Sequence, residues 1–249
     1  MAETVRAFAR FVAGRLLPRT AYPVLRGPLR GTRFVLASLS GEGGGASVYF
    51  NAIEREQTAS LVATLRPGQV FFDVGANVGY YTLLASRIVG PHGRVVALEP
   101  VVRNVAFLHR HVTLNGVQNV TIVPAACSDR SSLVPFAAGE NFATGHIVAG
   151  TGEGSAPSSL VPTVTLDALS EAFGTAPDVV KIDVEGAELD VLRGGQETLS
   201  RARPVLYLSV HSPALRTSCL DHLGGLGYTV ERLRPDEAEP SEFRAFRPA

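Results

Sequence analysis

An α/β fold, with a mainly parallel sheet flanked by helices, is what this sequence predicts, and three observations carry the prediction. Val70-Phe71-Phe72-Asp73-Val74-Gly75-Ala76-Asn77-Val78-Gly79-Tyr80-Tyr81-Thr82 begins as a short apolar, β-prone run with an acid near its end. A glycine-bearing turn and a helix-compatible segment, Tyr80 to Val89, follow it. Arg94-Val95-Val96-Ala97-Leu98-Glu99 is a second apolar run and ends in an acid 26 positions after Asp73 (99 − 73). Strand-like and helix-like segments then alternate along the chain, which implies crossover connections and parallel pairing.

Residues 1–20 read as an amphipathic helix in which Arg6, Arg10 and Arg15 interrupt every apolar run. Residues 21–50 read as irregular or short strands, with a loose Gly41-Glu42-Gly43-Gly44-Gly45 loop. A helix is expected over 52–66, where Ile53, Leu61, Val62 and Leu65 share a face. Strand 70–74, helix 78–90, strand 94–99, helix 101–115 and strand 119–124 come next. A strand near 133–136 precedes the most biased segment, Ala137 to Pro162, rich in glycine, serine and alanine and including Gly150 to Ser155. A stretch of that length is usually functional or disordered. It reads equally as a substrate lid or as disorder, and Asn141 and His146 are its strong hydrogen-bonding side chains apart from acids and hydroxyls. Strand 163–165, helix 166–173, strand 178–183, helix 187–200, strand 204–210 and helix 213–226 follow. Ser212-Pro213 suits a cap and first turn. A last strand, 228–233, precedes a polar tail.

The turn after the first of these strands is where an open α/β sheet holds a nucleotide-like ligand. Its glycines allow close backbone approach, and the helix start offers free N–H groups to a carboxylate or phosphate. The pattern is Asp-x-Gly-x-Asn-x-Gly, which lacks the middle glycine of the dinucleotide-binding motif. An acid at Asp73 also repels a pyrophosphate. It suits a ligand with a positive end, such as S-adenosylmethionine (SAM). Asp73 would take the ammonium side, the turn of Gly75, Asn77 and Gly79 the carboxylate, and Glu99 the ribose. An ordinary βαβ turn with a capping acid would show the same local residues.

Downstream, Asp178-Val179-Val180-Lys181-Ile182-Asp183-Val184-Glu185-Gly186-Ala187-Glu188 contains Lys181, the only lysine among 249 residues. The other 22 basic residues are arginines (23 − 1). Lys181 lies in an apolar run that reads as a buried central strand, and alternation puts Lys181, Asp183 and Glu185 on one face. A buried ammonium needs such carboxylates, whether for a site or as a structural ion pair.

Together, Asp73 to Thr82, Leu98-Glu99-Pro100 and Lys181 to Glu188 resemble the FkbM family of SAM-dependent methyltransferases. Pro124 to Asp129, Val164 to Asp167, Glu54 and Leu65-Arg66-Pro67-Gly68 also fit, and the resemblance spans roughly residues 49–212. It implies a class I, Rossmann-like methyltransferase fold with a seven-stranded sheet, and mostly O-methylation of sugars, polyketides and other natural products. On that basis Gly75, Asn77, Gly79, Tyr80, Thr82, Ala126 and Asp183 join Asp73 and Glu99 as cofactor-binding candidates, and Cys127 is a wall residue. The fifth strand departs from the family pattern: Ser209 stands where members often carry an acid, and His211 follows it.

The chain length suits a single catalytic domain, read as a cap over residues 1–66 and a methyltransferase domain over 67–249. Charges balance at 23 against 23, which gives no nucleic-acid footprint. Two cysteines make neither a disulfide framework nor a zinc cluster. No run reaches the ~20 apolar residues of a membrane helix, and a signal peptide's apolar block is missing. The expectation is a cytoplasmic enzyme acting on a small molecule, without stable membrane insertion, and able to form a homo-oligomer.

Transfer to an alcohol needs a general base, and His211 and Asp183 are the candidates. Lys181 would orient the acceptor oxygen or stabilise the alkoxide. Glu185 and Glu188 would hold substrate, as would Glu54, Asn141 and His146; Glu188 also suits a helix N-terminus. Mg²⁺ on Asp183 and Glu185 is conceivable but not favoured, because Lys181 competes for the same carboxylates. The leading reading is therefore an O-methyltransferase. A carboxylate or nitrogen methyltransferase and a non-catalytic SAM-binding protein are the alternatives.

Overall fold

The computed structural model describes residues 20–36, 46–50, 53–138, 145–147, 159–237, 239 and 241–248. The expected N-terminal helix, apart from Thr20, the glycine loop at 41–45, Asn141 and the 150–155 run fall outside these residues.

The chain runs β1 (Ala21–Pro23), β2 (Arg33–Val35), α1 (Ala46–Tyr49), α2 (Arg55–Thr64), β3 (Val70–Val74), α3 (Tyr80–Val89), β4 (Arg94–Leu98), α4 (Val102–Leu114) and β5 (Val120–Val123). It continues with β6 (Ala126–Cys127), β7 (Ser132–Ala138), β8 (Gly145–Ile147), β9 (Ser159–Val164), α5 (Leu166–Phe173) and β10 (Val179–Ile182). Then come α6 (Glu188–Arg193), α7 (Gln196–Arg201), β11 (Val205–Ser209), α8 (Pro213–Gly225), β12 (Thr229–Arg232) and β13 (Glu242–Phe246).

The main sheet has seven strands in the order β12-β13-β11-β10-β3-β4-β5. Pairings from β11 through β5 are parallel, and β13 runs antiparallel to both β11 and β12. Two differences from the sequence reading stand out. The polar tail contains β13, which inserts between β11 and β12; Phe243 and Ala245 are buried, and the charged Glu242 and Arg244 beside them hid the pattern. The ends of the 137–162 segment are strands: β9 and β7 lie within a separate four-stranded sheet, order β6-β9-β7-β8.

One face of the main sheet buries Phe72, Val74, Val96, Leu98, Val180, Ile182, Leu206 and Leu208 in the larger core cluster, with residues of α5 to α8. The other buries Phe71, Val95, Val179 and Tyr207 against α2 and α3 residues such as Leu61 and Leu84. Alternation then places Asp73, Lys181 and Ser209 on this second face. Tyr207 ties α2 to it, its hydroxyl lying 2.9 Å from Ser60 Oγ and 2.8 Å from Thr64 Oγ1.

Helix ends follow their local chemistry. Thr165 Oγ1 accepts from Ala168 N at 3.0 Å to cap α5, and left-handed Gly174 ends it. Ser212 Oγ accepts from Leu215 N, with Pro213 opening α8. The helix expected over 187–200 is broken into α6 and α7. A Cβ on Gly194 would stand 2.1 Å from the Ser128 carbonyl oxygen. The Asp167 carboxylate accepts from Glu197 N and Thr198 N at 3.0 and 2.7 Å, capping α7 from another element.

Candidate active site

β3 and β10 are hydrogen-bonded neighbours although a long stretch of chain separates them. The crevice beyond their carboxyl ends is where the strand order reverses, the place where such sheets bind ligands. The turn leaving β3 is built from left-handed residues: Gly75 (φ 83°), Asn77 (φ 50°) and Gly79 (φ 96°). A side chain at Gly75 would collide with the Asp183 carbonyl oxygen, 1.8 Å from the added Cβ, so the turn lies directly against the segment leaving β10.

Asp73 and Lys181 face each other across paired strands. Lys181 Nζ donates to Asp183 Oδ2 at 3.0 Å and lies 5.0 Å from the centre of the Tyr81 ring. Burial alone would lower the Lys181 ammonium's pKa, but Asp183, Asp73 and Glu54 outweigh it and hold the pKa above its ordinary value. Thr82 Oγ1 donates to Asp73 Oδ2 at 2.5 Å, while Asp73 Oδ1 is buried with no partner. Burial raises the Asp73 carboxyl against the pull of Lys181 and Thr82.

Glu99 is 4% exposed. Its Oε2 accepts from Asn77 N at 2.8 Å, and its Oε1 accepts from Val101 N at 2.9 Å and Asn104 Nδ2 at 3.2 Å. Burial nonetheless pushes its pKa up to about 7. Ala126 packs with Phe136 and Val161 in a small cluster that includes Val101, two residues past Glu99.

His211 closes the other side. Its Nδ1 lies 2.7 Å from Oε1 of the fully buried Glu188, which also accepts from Gly186 N at 3.0 Å. Its Nε2 lies 3.5 Å from both Asp183 Oδ1 and Glu185 Oε2. The hydrogen bond to Glu188, supported by the neighbouring carboxylates and opposed by burial, raises the His211 pKa to about 9. Glu185 and Gly186 are both left-handed, at φ 55° and 107°, so the loop that carries the acids is held in a costly conformation.

Residues 73–234 match the model of the Methyltransferase FkbM domain. The chain belongs to the FkbM methyltransferase family. It is a SAM-dependent methyltransferase with the class I fold. Among solved structures, an FkbM methyltransferase from Methylobacillus flagellatus is 17% identical, with 85% of this chain and 56% of that one covered and a TM-score of 0.51. A candidate O-methyltransferase from Klebsiella pneumoniae is 15% identical over 98% and 97% of the two chains, TM-score 0.52. A candidate rRNA methylase from Clostridium thermocellum is 10% identical over 77% and 92%, TM-score 0.53. At these identities the likeness concerns the fold. No curated protein matches the sequence.

In this FkbM-family chain, the residues singled out by sequence converge at one end of the sheet: Asp73, Thr82, Glu99, Lys181, Asp183, Glu185, Glu188 and His211. Glu54 belongs with them. It is left-handed (φ 35°) at the start of α2, and its Oε2 accepts from Tyr81 Oη and Gln57 Nε2, both at 2.7 Å. Glu188, read as a substrate ligand or helix-end acid, opens α6 and is also the buried partner of His211. Tyr80 turns toward α2, its hydroxyl 3.5 Å from Thr58 Oγ1. Of His146 only the backbone is described, opposite Ala137 in the second sheet.

The sequence reading missed Gln57, Thr58 and Asn104, all buried and polar. It also missed Glu242, which Arg234 binds and whose carboxyl burial raises, with a smaller push from Glu54. A run of polar residues on one turn of α2, Gln57-Thr58, was the available signal. Among the described residues, no group of three or more His, Cys, Asp or Glu side chains is arranged to hold a metal ion, and no helix is long and apolar enough to cross a membrane.

Proposed function

We propose that this chain methylates a hydroxyl of a small molecule, a sugar or another natural product, with His211 as general base. The observation that carries the proposal is the Glu188–His211 pair beside the Lys181–Asp183 pair.

The residues present fit SAM. Asp73 offers a buried oxygen without a donor, suited to an ammonium. The Gly75–Asn77–Gly79 turn, followed by Tyr80 and Thr82 at the start of α3, suits a carboxylate. Glu99 suits a ribose, with Ala126 as apolar wall, and Asp183 lines the crevice between them. When bound, SAM supplies an activated methyl group on its sulfonium.

The protein's own work is alignment and proton handling. Glu188 accepts from His211 Nδ1–H, which fixes the tautomer and leaves Nε2 as the basic nitrogen when the ring is neutral. Nε2 takes the hydroxyl proton. The resulting imidazolium is stabilised by Asp183 and Glu185, each 3.5 Å away. Lys181 holds Asp183 in place and keeps a positive charge near the developing alkoxide. Glu185 and Glu54 accept from further hydroxyls of the acceptor. Carboxylates at this mouth, together with the balanced net charge, favour a neutral or cationic acceptor over a phosphate-rich one.

The testing experiment has two stages. Calorimetric titration with S-adenosylhomocysteine should show micromolar binding, lost in an Asp73→Ala, Glu99→Ala double variant. A screen of hydroxylated acceptors should then give turnover that collapses in His211→Asn. Turnover surviving in His211→Asn and Asp183→Asn, with cofactor binding intact, would point to a carboxylate acceptor, which needs no base.

A further inference from the structure

Gln57, on the first turn of α2, lies 16 positions before the matched region begins (73 − 57). It is fully buried. Its Nε2 donates to Glu54 Oε2 at 2.7 Å and to Tyr81 Oη at 3.2 Å. These two bonds fix the amide's orientation, because a flip would turn Oε1 against the Glu54 carboxylate. Gln57 Oε1 has no donor, and a buried amide oxygen left so costs free energy that a donor would recover.

A second orphaned acceptor is linked to Gln57 through α3. Gln57 meets the start of α3 through Tyr81 Oη, and Asp73 meets it through Thr82 Oγ1 at 2.5 Å, so consecutive residues of one helix link the two. Asp73 Oδ1 is buried and unpartnered. Lys181, above the Tyr81 ring, gives one N–H to Asp183 and its charge also acts on Asp73 and Glu54. Two buried acceptors tied to consecutive residues of α3 suit a compact ligand group with several donors, and an ammonium is such a group.

We propose that Gln57 is a cofactor-binding residue, its Oε1 sharing with Asp73 Oδ1 the ammonium at the amino-acid end of SAM. The inference rests on the SAM reading above. It makes α2 a wall of the cofactor site and gives the left-handed start at Glu54 a purpose: that turn brings the Glu54 carboxylate to Gln57 Nε2, which leaves Oε1 as the acceptor for the ligand.

The test compares S-adenosylhomocysteine with 5′-methylthioadenosine, which lacks the amino-acid end, by calorimetric titration of the full chain. Gln57→Met should weaken S-adenosylhomocysteine about tenfold and leave 5′-methylthioadenosine within about twofold, the loss expected for one hydrogen bond to a charged group. Gln57→Asn, which keeps the amide but withdraws its oxygen, should show the same selectivity and stands in if the Met variant does not fold. Ser60→Ala, on the same helix but bonded to Tyr207, should leave both affinities near wild type. Unchanged S-adenosylhomocysteine affinity in the Gln57 variants would overturn the proposal, as would equal weakening of both ligands. Failure of the unaltered chain to bind S-adenosylhomocysteine would overturn the SAM reading and this inference together.

Discussion

Glu99 shows how burial sets the behaviour of a single carboxyl. Three N–H donors hold it, yet desolvation keeps its pKa near 7 rather than in the ordinary carboxylate range. A carboxyl raised in this way is neutral in the folded chain at pH 6, and its ionisation costs stability as pH rises from about 4.5 toward about 7. Ribose hydroxyls donate better to the ionised form. S-adenosylhomocysteine affinity, followed by calorimetry, should therefore rise between pH 6 and pH 8 and then level, and Glu99→Gln should flatten that rise. His211 has the opposite sign. Its raised pKa of about 9 means that the neutral, basic ring appears only as pH climbs through about 9. The stability it contributes is complete below about 6.5 and lost over the same climb. Turnover of a hydroxyl acceptor should increase up to about pH 9. Glu188→Gln should move the midpoint of the rate profile to lower pH and reduce the maximum. His211→Asn should cost about 10²–10⁴ in rate with S-adenosylhomocysteine affinity kept within about twofold; a smaller loss would remove His211 from the role of base.

Elements owe their placement to close contacts that few residues allow. Gly75 presses against the Asp183 carbonyl while holding φ 83°. Gly75→Ala should lower stability by at least about 2 kcal/mol, seen as a drop in thermal midpoint, and weaken cofactor binding with it. That a tight turn follows β3 was legible in Asp73-x-Gly75-x-Asn77-x-Gly79, because glycine spacing and a strand-end acid are local signals. Lys181 was legible for a different reason: a lone lysine inside an apolar run has to find acids. The pairing of His211 with Glu188 was not legible, since they lie 23 positions apart and it is the packing of α6 against α8, which His211 closely precedes, that brings them together. The break between α6 and α7 was hidden for a similar reason. Gly194-Gly195 hinted at it, but the Asp167 carboxylate that caps the second half comes from α5.

At the scale of the whole molecule, the seven-stranded order is what turns scattered residues into a site. Parallel strands deliver Asp73, Glu99, Lys181 and Asp183 to one edge of the sheet, and alternation gives Asp73 and Lys181 the same face. The parallel strands β3, β4, β5, β10 and β11 were readable as apolar runs, whereas β13 was not: a five-residue strand of mixed polarity in a charged tail gives no periodic signal. Its weight in the fold is nevertheless large. Phe243→Ala should cost about 3–5 kcal/mol in chemical denaturation, and removal of residues 235–249 should abolish the cooperative transition. Retention of cooperative unfolding in that truncated chain would contradict the role assigned to β13.

The insertion of β13 also orders events in time. During translation, residues 242–246 leave the ribosome after every other strand of the sheet has been made. Until then β11 presents an unpaired edge beside Leu206 and Leu208, in a chain otherwise able to fold. A nascent chain arrested after residue 233 should be open to proteolysis and prone to join other chains through that edge. Release of ten to fifteen more residues should close it, so β13 acts as the latch on the sheet that carries the candidate site.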